Sequence, residues 1–313
     1  MNTHLQIQVV DLCCVTAAEL EDLWRHEVRL WRDRLLWDVS AACAALRRVV
    51  ERGGLPGKAV RVNARTVGYA YYGVAGHLGV ISGLVVSPDW HGTPVGETLL
   101  QKTVGDLRRK GVSRIESPFV SVDYPWLAPA LEREGFRTYW REVLRFDLRQ
   151  ARGPAHAAAM VSLEPWRETH LREAAAILQA SYDGGVEAEI HQQYRTVDGC
   201  HVVLDDILNQ GSCGILVPEA SAMARDRGRG IGFAVVTEVA PQQGHLTHIA
   251  VLPEYRRRGV GRGLLDYSLR RLAGLRFDTL SLIVSRANAR AFGIYQAVGF
   301  QPVLTFPVFI WEA

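Results

Sequence analysis

The sequence predicts an α+β protein of two tandem domains, each with a mixed, mostly antiparallel twisted sheet flanked by helices. Three observations support this. The chain has 313 residues, which favours two domains over one. A pattern of apolar and turn-forming residues recurs about 165 residues further along the chain. Strand-like and helix-like segments also follow one another in the same order in both halves.

The internal repeat is clearest after a strand in each half. "LVVSPDWHGTPVGETLL", Leu84–Leu100, aligns with "IAVLPEYRRRGVGRGLL", Ile249–Leu265, at an offset of 165 residues (249 − 84). "LEREGF", ending at Phe136, aligns with "YQAVGF", ending at Phe300, at an offset of 164 (300 − 136). The difference of one residue is a loop insertion or deletion, so the halves are predicted to be copies of one domain.

The first half is predicted to run strand, helix, three strands, helix, strand, helix. Its first helix, 17–37, carries Leu20, Leu23, Trp24 and Trp31 along one apolar face. β-Branched content and turn-forming flanks predict strands 5–12, 59–63, 66–74, 77–86 and 114–122, and helical patterns cover 96–111 and 125–135.

The second half repeats this order with strands 160–166, 213–217, 230–239, 245–252, 279–285 and 303–312 and with helical patterns over 168–181, 188–210, 261–274 and 287–299. The polar segment 218–230 is predicted to be a surface hairpin or a flexible lid. The terminal strand could pair between chains, between the two domains, or within a hairpin of its own. The domains are predicted at 1–150 and 161–313, joined by an Ala-rich linker at 151–160 without periodicity.

Composition narrows the class of protein. The chain is 48% hydrophobic and 22% charged, as globular proteins are, and no stretch approaches eighteen uninterrupted apolar residues. The N-terminal residues lack the plan of a signal peptide, so we expect a cytoplasmic protein without membrane contact. A net charge of +3 without an aromatic-interleaved basic patch argues against nucleic acid. The five cysteines have neither C-x-x-C nor zinc-site spacing, so we expect neither a metal nor disulfides (Cys13, Cys14, Cys43, Cys200 and Cys213).

The segment "YRRRGVGRGLLDYSL", Tyr255–Leu269, has the pattern of an anion-binding helix start. Backbone N–H groups in the first turn of a helix lack intrahelical partners and face the positive end of the helix dipole. Gly259 and Gly261 allow a tight turn and close approach of a phosphate, and the three arginines from Arg256 to Arg258 add charge. The alternative is a basic turn before a helix, which leaves the matching motif further along the chain unexplained.

These residues resemble those of a known family. "V-x-P-E-Y-R-R-R-G-V-G" resembles the [QR]-x-x-G-x-[GA] acetyl-CoA loop of the GNAT superfamily of N-acetyltransferases, and Asn288–Phe300 resembles its second signature, N-x-x-A-x-x-x-Y-x-x-x-G-F. Tandem members such as mycothiol synthase are similar in architecture. The resemblance implies an acetyl-CoA-dependent N-acetyltransferase that transfers acetyl directly to a primary amine of a small molecule or peptide.

The resemblance also implies a role for each motif residue. Asn288 would contact the CoA arm, and Tyr295 would be the general acid for the departing thiolate. Other readings are a helix N-cap for Asn288 and simple packing for Tyr295. Arg256, Gly259 and Gly261 would bind the pyrophosphate, near the amides of Arg257, Arg258, Val260 and Arg262, and the strand with Ile249, Ala250 and Val251 would hold the pantetheine.

Two histidines are candidates for the general base. Family members often carry Glu or His three or five residues before the Ala that corresponds to Ala250; here these positions are Thr247 and His245. His245 is therefore the candidate base, directly or through water, and His248 on the opposite face is its rival. Each could equally be a strand histidine hydrogen-bonded to its neighbours.

Three carboxylates, Asp183, Glu187 and Glu189, lie in the segment that lines the acceptor groove in the family. They would favour a cationic amine, or they form a solvated loop. The acceptor, the acyl chain length and the choice between monomer and homodimer are left open.

The first half lacks the residues that carry the proposed chemistry in the second half. His91 stands for Arg256 and Pro94 for Gly259, and proline has no N–H to donate to a phosphate. We therefore expect this half to keep the fold without binding acetyl-CoA well. The remaining replacements are Tyr124 for Asn288, Leu131 for Tyr295, Val80 for His245 and Ser82 for Thr247. A non-catalytic acetyl-CoA sensor or interaction protein is the alternative function.

Overall fold

A computed structural model of the chain describes residues 6–118, 124–150 and 161–313. Within them, the helices and strands are, in chain order, β1 (Ile7–Asp11), α1 (Ala17–Leu35), α2 (Ser40–Glu51), β2 (Gly57–Val62), β3 (Arg65–Ala75), β4 (Leu78–Val86), α3 (Pro94–Arg109), β5 (Arg114–Ser117), α4 (Leu127–Arg133), β6 (Arg137–Asp147), β7 (Ser162–Pro165), α5 (Leu171–Tyr182), α6 (Val186–Ile190), α7 (Val197–Asn209), β8 (Ile215–Leu216), β9 (Ala222–Asp226), β10 (Arg229–Ala240), β11 (Gln243–Val251), α8 (Val260–Gly274), β12 (Thr279–Ser285), α9 (Ala289–Val298) and β13 (Gln301–Glu312).

The chain forms two compact units that exchange their last strands. The first unit contains the residues up to Trp140 together with Phe306–Ala313, and the second contains Arg141–Thr305. The domains expected from the sequence, 1–150 and 161–313, have no such exchange, and the predicted linker 151–160 lies outside the described residues. The units follow the two sequence halves except that most of β13 belongs to the first unit and most of β6 to the second.

The sheet of the first unit has the strand order β1-β2-β3-β4-β5-β13. β4 and β5 are parallel and the other neighbours are antiparallel. Leu20, Leu23 and Trp24 of α1 are buried against one face, which confirms the apolar face predicted for this helix, while Trp31 is half-buried against Trp37. α3 contributes Leu99, Val104 and Leu107 to a separate core with Ile81.

The sheet of the second unit has the order β6-β12-β11-β10-β9-β7, with β8 also beside β10. β11 and β12 are parallel and the other neighbours are antiparallel. Its core includes Leu178 of α5, Phe233 of β10, Leu264 of α8 and Phe300. Both units therefore have the predicted mixed, mostly antiparallel sheet with helices, which confirms the α+β fold class.

The two parallel strands in the middle of each sheet diverge. In the second unit, only Gln243–Leu246 of β11 pair with β12, although β11 continues to Val251. In the first unit, only Leu78–Val80 of β4 pair with β5, although β4 continues to Val86. The later part of each first strand thus has a backbone edge that its parallel neighbour does not cover.

Some elements differ from those the sequence pattern predicted. The segment 218–230, expected to be a polar surface hairpin or a flexible lid, does enter a hairpin of β9 with β10, but Ala222, Met223 and Ala224 are buried between β7 and β10. The pattern missed this buried strand because small residues followed by charged ones are typical of a loop. α2 and β6 were not predicted, and the strand expected at 213–217 is the two-residue β8. The terminal strand β13 pairs with β5, so the alternative of pairing between the halves of the sequence is the one observed.

Candidate active site

The second unit contains a cavity of about 720 Å³ where β11 leaves β12. Its wall includes Ile249 and Val251 of β11, the end of α5 and the following turn, and the starts of α8 and α9. Ala250, between the two lining residues, is 2% exposed and packs into the core instead. The alternation of a strand therefore presents Ile249 and Val251 to the cavity and Ala250 to the sheet interior.

The backbone makes a tight turn at the start of α8, where the sequence predicts the anion cradle. Gly259 is the N-cap with φ of 81°, and Arg257 also has positive φ, 61°. A Cβ at Gly261 would meet only the Val251 side chain, at 3.6 Å, so the space beside the first turn is open. The cavity wall here includes Arg256, Arg257, Gly259, Val260, Gly261 and Arg262, which brings the predicted loop residues together except Arg258.

The arginines of the loop face different surroundings. One guanidinium nitrogen of Arg256 donates to the Ser181 carbonyl at 2.6 Å and tethers the loop to α5. The guanidinium of Arg258 lies 5.2 Å from the centre of the Tyr255 ring. Arg258 instead lines an adjoining depression of about 710 Å³ with Arg256, Arg257 and Arg290. The site is thus strongly basic at this end.

The second motif places Asn288 and Tyr295 on the same cavity wall. The Asn288 Oδ1 atom accepts from the backbone N–H of Ala291 at 3.2 Å and caps α9, as one reading of the sequence predicted. Tyr295 is 9% exposed, and its ring packs 5.8 Å from that of Phe300. Burial, and then the charge of Glu187, raise the pKa of Tyr295, so the phenol keeps its proton at neutral pH.

Neither candidate histidine is among the residues of the cavity wall. His245 is buried, and its Nδ1 lies 3.0 Å from the Ser281 hydroxyl across the β11–β12 pairing. His248 is buried, with Nε2 3.0 Å from the Tyr194 hydroxyl, and its Nδ1 has no partner among the described residues. Burial lowers the pKa of His245 to about 3 and of His248 to about 4, with Arg141 contributing to both shifts, so both imidazoles are neutral at neutral pH.

The sequence identified Glu187 as a candidate acceptor-groove carboxylate but not Arg141, the residue that pairs with it. Glu187 lines the cavity and is 7% exposed, which rules out the solvated-loop reading for this residue. Its carboxylate accepts from Arg141 at 2.9 Å and from the Ser285 hydroxyl at 2.6 Å. Asp183 also lines the cavity but is exposed, and Glu189 is not part of the wall. Arg141 had no motif to mark it, because it lies on β6, far along the chain from the second-half motifs.

The corresponding place in the first unit is filled by aromatic side chains. The backbone N–H of Val86 donates to the Tyr124 hydroxyl at 3.1 Å, and the Val86 carbonyl lies 3.0 Å from Nε2 of His91. A Cβ at Gly96, the equivalent of Gly261, would lie 2.4 Å from the Trp126 ring. The strand edge and the helix start that are open in the second unit are therefore occupied here by the unit's own side chains.

The part of the chain that the structure describes has neither a candidate metal cluster nor a helix suited to a membrane. No group of three or more His, Cys, Asp or Glu residues there could hold a metal ion. No described helix is long and apolar enough to cross a membrane.

Residues 175–300 match the model of the acetyltransferase (GNAT) family.

Two curated relatives match parts of the chain. The [ribosomal protein bS18]-alanine N-acetyltransferase of Escherichia coli (strain K12) is 38% identical over 73 residues, which are 23% of this chain and 49% of that protein. The mycothiol acetyltransferase of Propionibacterium freudenreichii subsp. shermanii is 26% identical over 155 residues, 48% of this chain and 46% of that one. The chain thus spans about half the length of the curated relatives it matches.

Solved structures share the fold over the whole chain. A GCN5-related N-acetyltransferase from Sphaerobacter thermophilus has a TM-score of 0.70 at 14% identity, covering 100% of this chain and 96% of that one. A tandem GNAT protein from the clavulanic acid biosynthesis pathway has a TM-score of 0.62 at 16% identity, covering 98% of each chain. At these identities the likeness concerns the fold, and it agrees with the tandem arrangement predicted from the repeat.

Proposed function

We propose that the protein is an acetyl-CoA-dependent N-acetyltransferase in which the second unit transfers acetyl directly to a primary amine of a small molecule or peptide. The observation that carries the proposal is that the basic start of α8, the open edge of β11 and the buried Tyr295 all line the same cavity. The filled counterpart in the first unit supports assigning both binding and transfer to the second.

The cradle binds the pyrophosphate in this proposal. Arg256, Gly259 and Gly261, with the amides of Arg257, Arg258, Val260 and Arg262, supply charge and N–H donors, as anion sites at helix starts do. Ile249, Ala250 and Val251 offer the backbone edge for the pantetheine, and Asn288 contacts the CoA arm. These groups fix the thioester at the Tyr295 end of the cavity.

The transfer needs a neutral amine and a proton for the departing sulfur. Acetyl-CoA supplies the activated acyl group. As the C–N bond forms and the C–S bond breaks, Tyr295 gives its hydroxyl proton to the sulfur, and the amine loses a proton to a base. We keep His245 as the proposed base, acting through water because it is not part of the cavity wall. Its imidazole is neutral at working pH, but burial lowers its pKa to about 3, which makes it a weak acceptor for that proton.

Calorimetric titration with acetyl-CoA tests the binding step. The wild type should bind one molecule per chain, and the double variant Arg256→Ala/Gly259→Pro should bind none, because it loses a cation and the glycine conformation together. Absence of binding to the wild type would refute the proposal.

A thiol-release screen tests the transfer. The panel holds amines, polyamines, amino acids and peptides, including one that begins with alanine because a curated relative acts on an alanine of a ribosomal protein. The alternative function, an acetyl-CoA sensor, is favoured by the position of His245 and His248 away from the cavity wall. A sensor would bind acetyl-CoA without acceptor-dependent release.

A further inference from the structure

Glu187 is distinguished from the other acidic residues near the cavity. It is buried on the wall, whereas Asp183 is exposed there. Its two carboxylate oxygens accept one hydrogen bond each, from Arg141 and from Ser285. A carboxylate offers about four lone-pair directions, so each oxygen can accept a further donor. The buried carboxylate is therefore held in place and can still accept hydrogen bonds from a ligand.

The two residues that hold Glu187 are themselves cross-strand neighbours. Arg141 of β6 lies directly opposite Ser285 of β12 in the antiparallel pairing. The Arg141 side chain is only 15% exposed, and its Nη1 is 3.5 Å from Nε2 of His191. A half-buried guanidinium and a buried hydroxyl on rigid strands fix the carboxylate better than exposed partners would.

The cavity is electrostatically divided along its length. Arginines such as Arg256 and Arg262 line the cradle end. Glu187 is close enough to Tyr295 for its charge to contribute to the raised pKa of that phenol. The tyrosines Tyr182 and Tyr295 also line the wall. A carboxylate flanked by aromatic rings is a combination that recognises an ammonium group.

We propose that Glu187 is the acceptor-binding carboxylate, that Arg141 and Ser285 are its positioning residues, and that the acceptor enters as an ammonium ion, which releases one proton to solvent to become the neutral amine that attacks. This inference rests on the proposed function. It also makes a residue of the strand before 151–160 part of the site, so a domain cut at residue 161 or 175 lacks a group that the acceptor end requires.

The test uses the full chain saturated with CoA at pH 7 and titrated with benzylamine and with benzyl alcohol, its uncharged isostere. Because Glu187 would form a charge-assisted hydrogen bond with the ammonium group, we expect the wild type to bind benzylamine about 10-fold or more tightly than benzyl alcohol. Glu187→Gln should abolish the preference. Arg141→Gln should do the same, because the carboxylate then loses the guanidinium that holds it in position, and Arg141→Lys should recover part of the preference. Ser285→Ala should give a smaller loss.

Arg286→Gln is the matched control. Arg286 and Glu142 follow Ser285 and Arg141 along the chain and form an ion pair at 2.6 Å, and neither lines the cavity. Removing this pair should leave the preference for benzylamine unchanged. The double variant Arg141→Gln/Glu187→Gln should be no worse than Glu187→Gln if Arg141 acts through Glu187.

The outcomes separate the two proposals. An equal affinity for both probes in the wild type, or a preference that survives Glu187→Gln, would overturn the role of Glu187. A preference that survives Arg141→Gln would overturn its positioning role. A preference for benzylamine without thiol release from acetyl-CoA in the screen would remove the proposed function while leaving the ammonium site.

Discussion

The hydroxyl of Tyr124 accepts a hydrogen bond from the backbone N–H of Val86 at 3.1 Å, at the open edge of β4. In the second unit the equivalent residue, Val251, lines the cavity. The same divergence of parallel strands therefore produces a cavity in one copy and a filled cleft in the other. Loss of the cradle residues in the first unit is matched by aromatic side chains that take up the space.

We therefore predict one acetyl-CoA site per chain. Pro94→Gly, which restores a glycine-compatible loop in the first unit, should leave the stoichiometry at one, because Tyr124 and Trp126 still fill the cleft. Calorimetry measures the number of sites. Two sites in the wild type would contradict the filled cleft.

Gly259 should be sensitive even to a methyl group. Its φ of 81° is a left-handed conformation that costs an L-residue about 1–2 kcal/mol. Gly259→Ala should therefore weaken acetyl-CoA affinity about 10-fold, as the cradle relaxes out of shape. Gly274→Ala, at the other end of α8 with nothing within 4 Å of the added carbon, is the control and should bind as the wild type does. Calorimetry measures the acetyl-CoA affinity of both variants. Unchanged affinity in Gly259→Ala would mean that the loop tolerates the change.

Tyr295→Phe should lower kcat about 100-fold or more if the phenol protonates the sulfur. The kcat of the wild type should rise with pH as the bound acceptor loses its proton. Since burial and Glu187 raise the pKa of Tyr295, kcat should show no loss from this residue at moderately alkaline pH. Thiol release across pH 6–9 with a reactive amine from the screen measures both effects. A kcat within about two-fold of wild type would leave Tyr295 a packing residue.

Much of this site is readable from the sequence. The helix start at Gly259, the cap at Asn288 and the lining role of Tyr295 follow from local spacing, because adjacent residues on one turn or one helix share a face whatever the rest of the chain does. His245 shows where this reasoning ends. The alternation of side chains along the strand predicts which face of the sheet His245 occupies. It does not predict that Ser281, on another strand, contacts the imidazole and that the side chain is buried away from the cavity.

The strand exchange could not be read from the sequence. In a tandem repeat the end strands of the two copies are equivalent in position, so apolar alternation in Arg137–Asp147 and Gln301–Glu312 does not tell which sheet each one joins. Arg141 was missed for the same reason. Its partner Glu187 is 46 residues away, and the pairing exists only because β6 lies beside β12.

Acid should destabilise the second unit through its buried histidines. His245 and His248 have folded pKa values of about 3 and 4 against an ordinary 6.5, so between these values the unfolded chain binds more protons and stability falls as pH falls. Each accounts for up to about 2 kcal/mol between pH 6.5 and pH 5. His248→Gln should flatten the pH dependence of the urea midpoint, and His77→Gln, in an exposed turn, should not. Equal slopes in all three proteins would contradict this origin.

A substitution at the C-terminal end of the chain should destabilise the first unit. Phe309 of β13 is 1% exposed, lies in the core that contains Leu99 and Ile115, and pairs with Ser117 of β5. Phe309→Ala should cost about 3–5 kcal/mol and speed hydrogen exchange in β4, β5 and α3, far from it in sequence. Gln301→Ala, at the exposed start of the same strand, is the control. If Phe309→Ala instead loosened only residues of the second unit, the last strand would belong to that sheet and the exchange would be wrong.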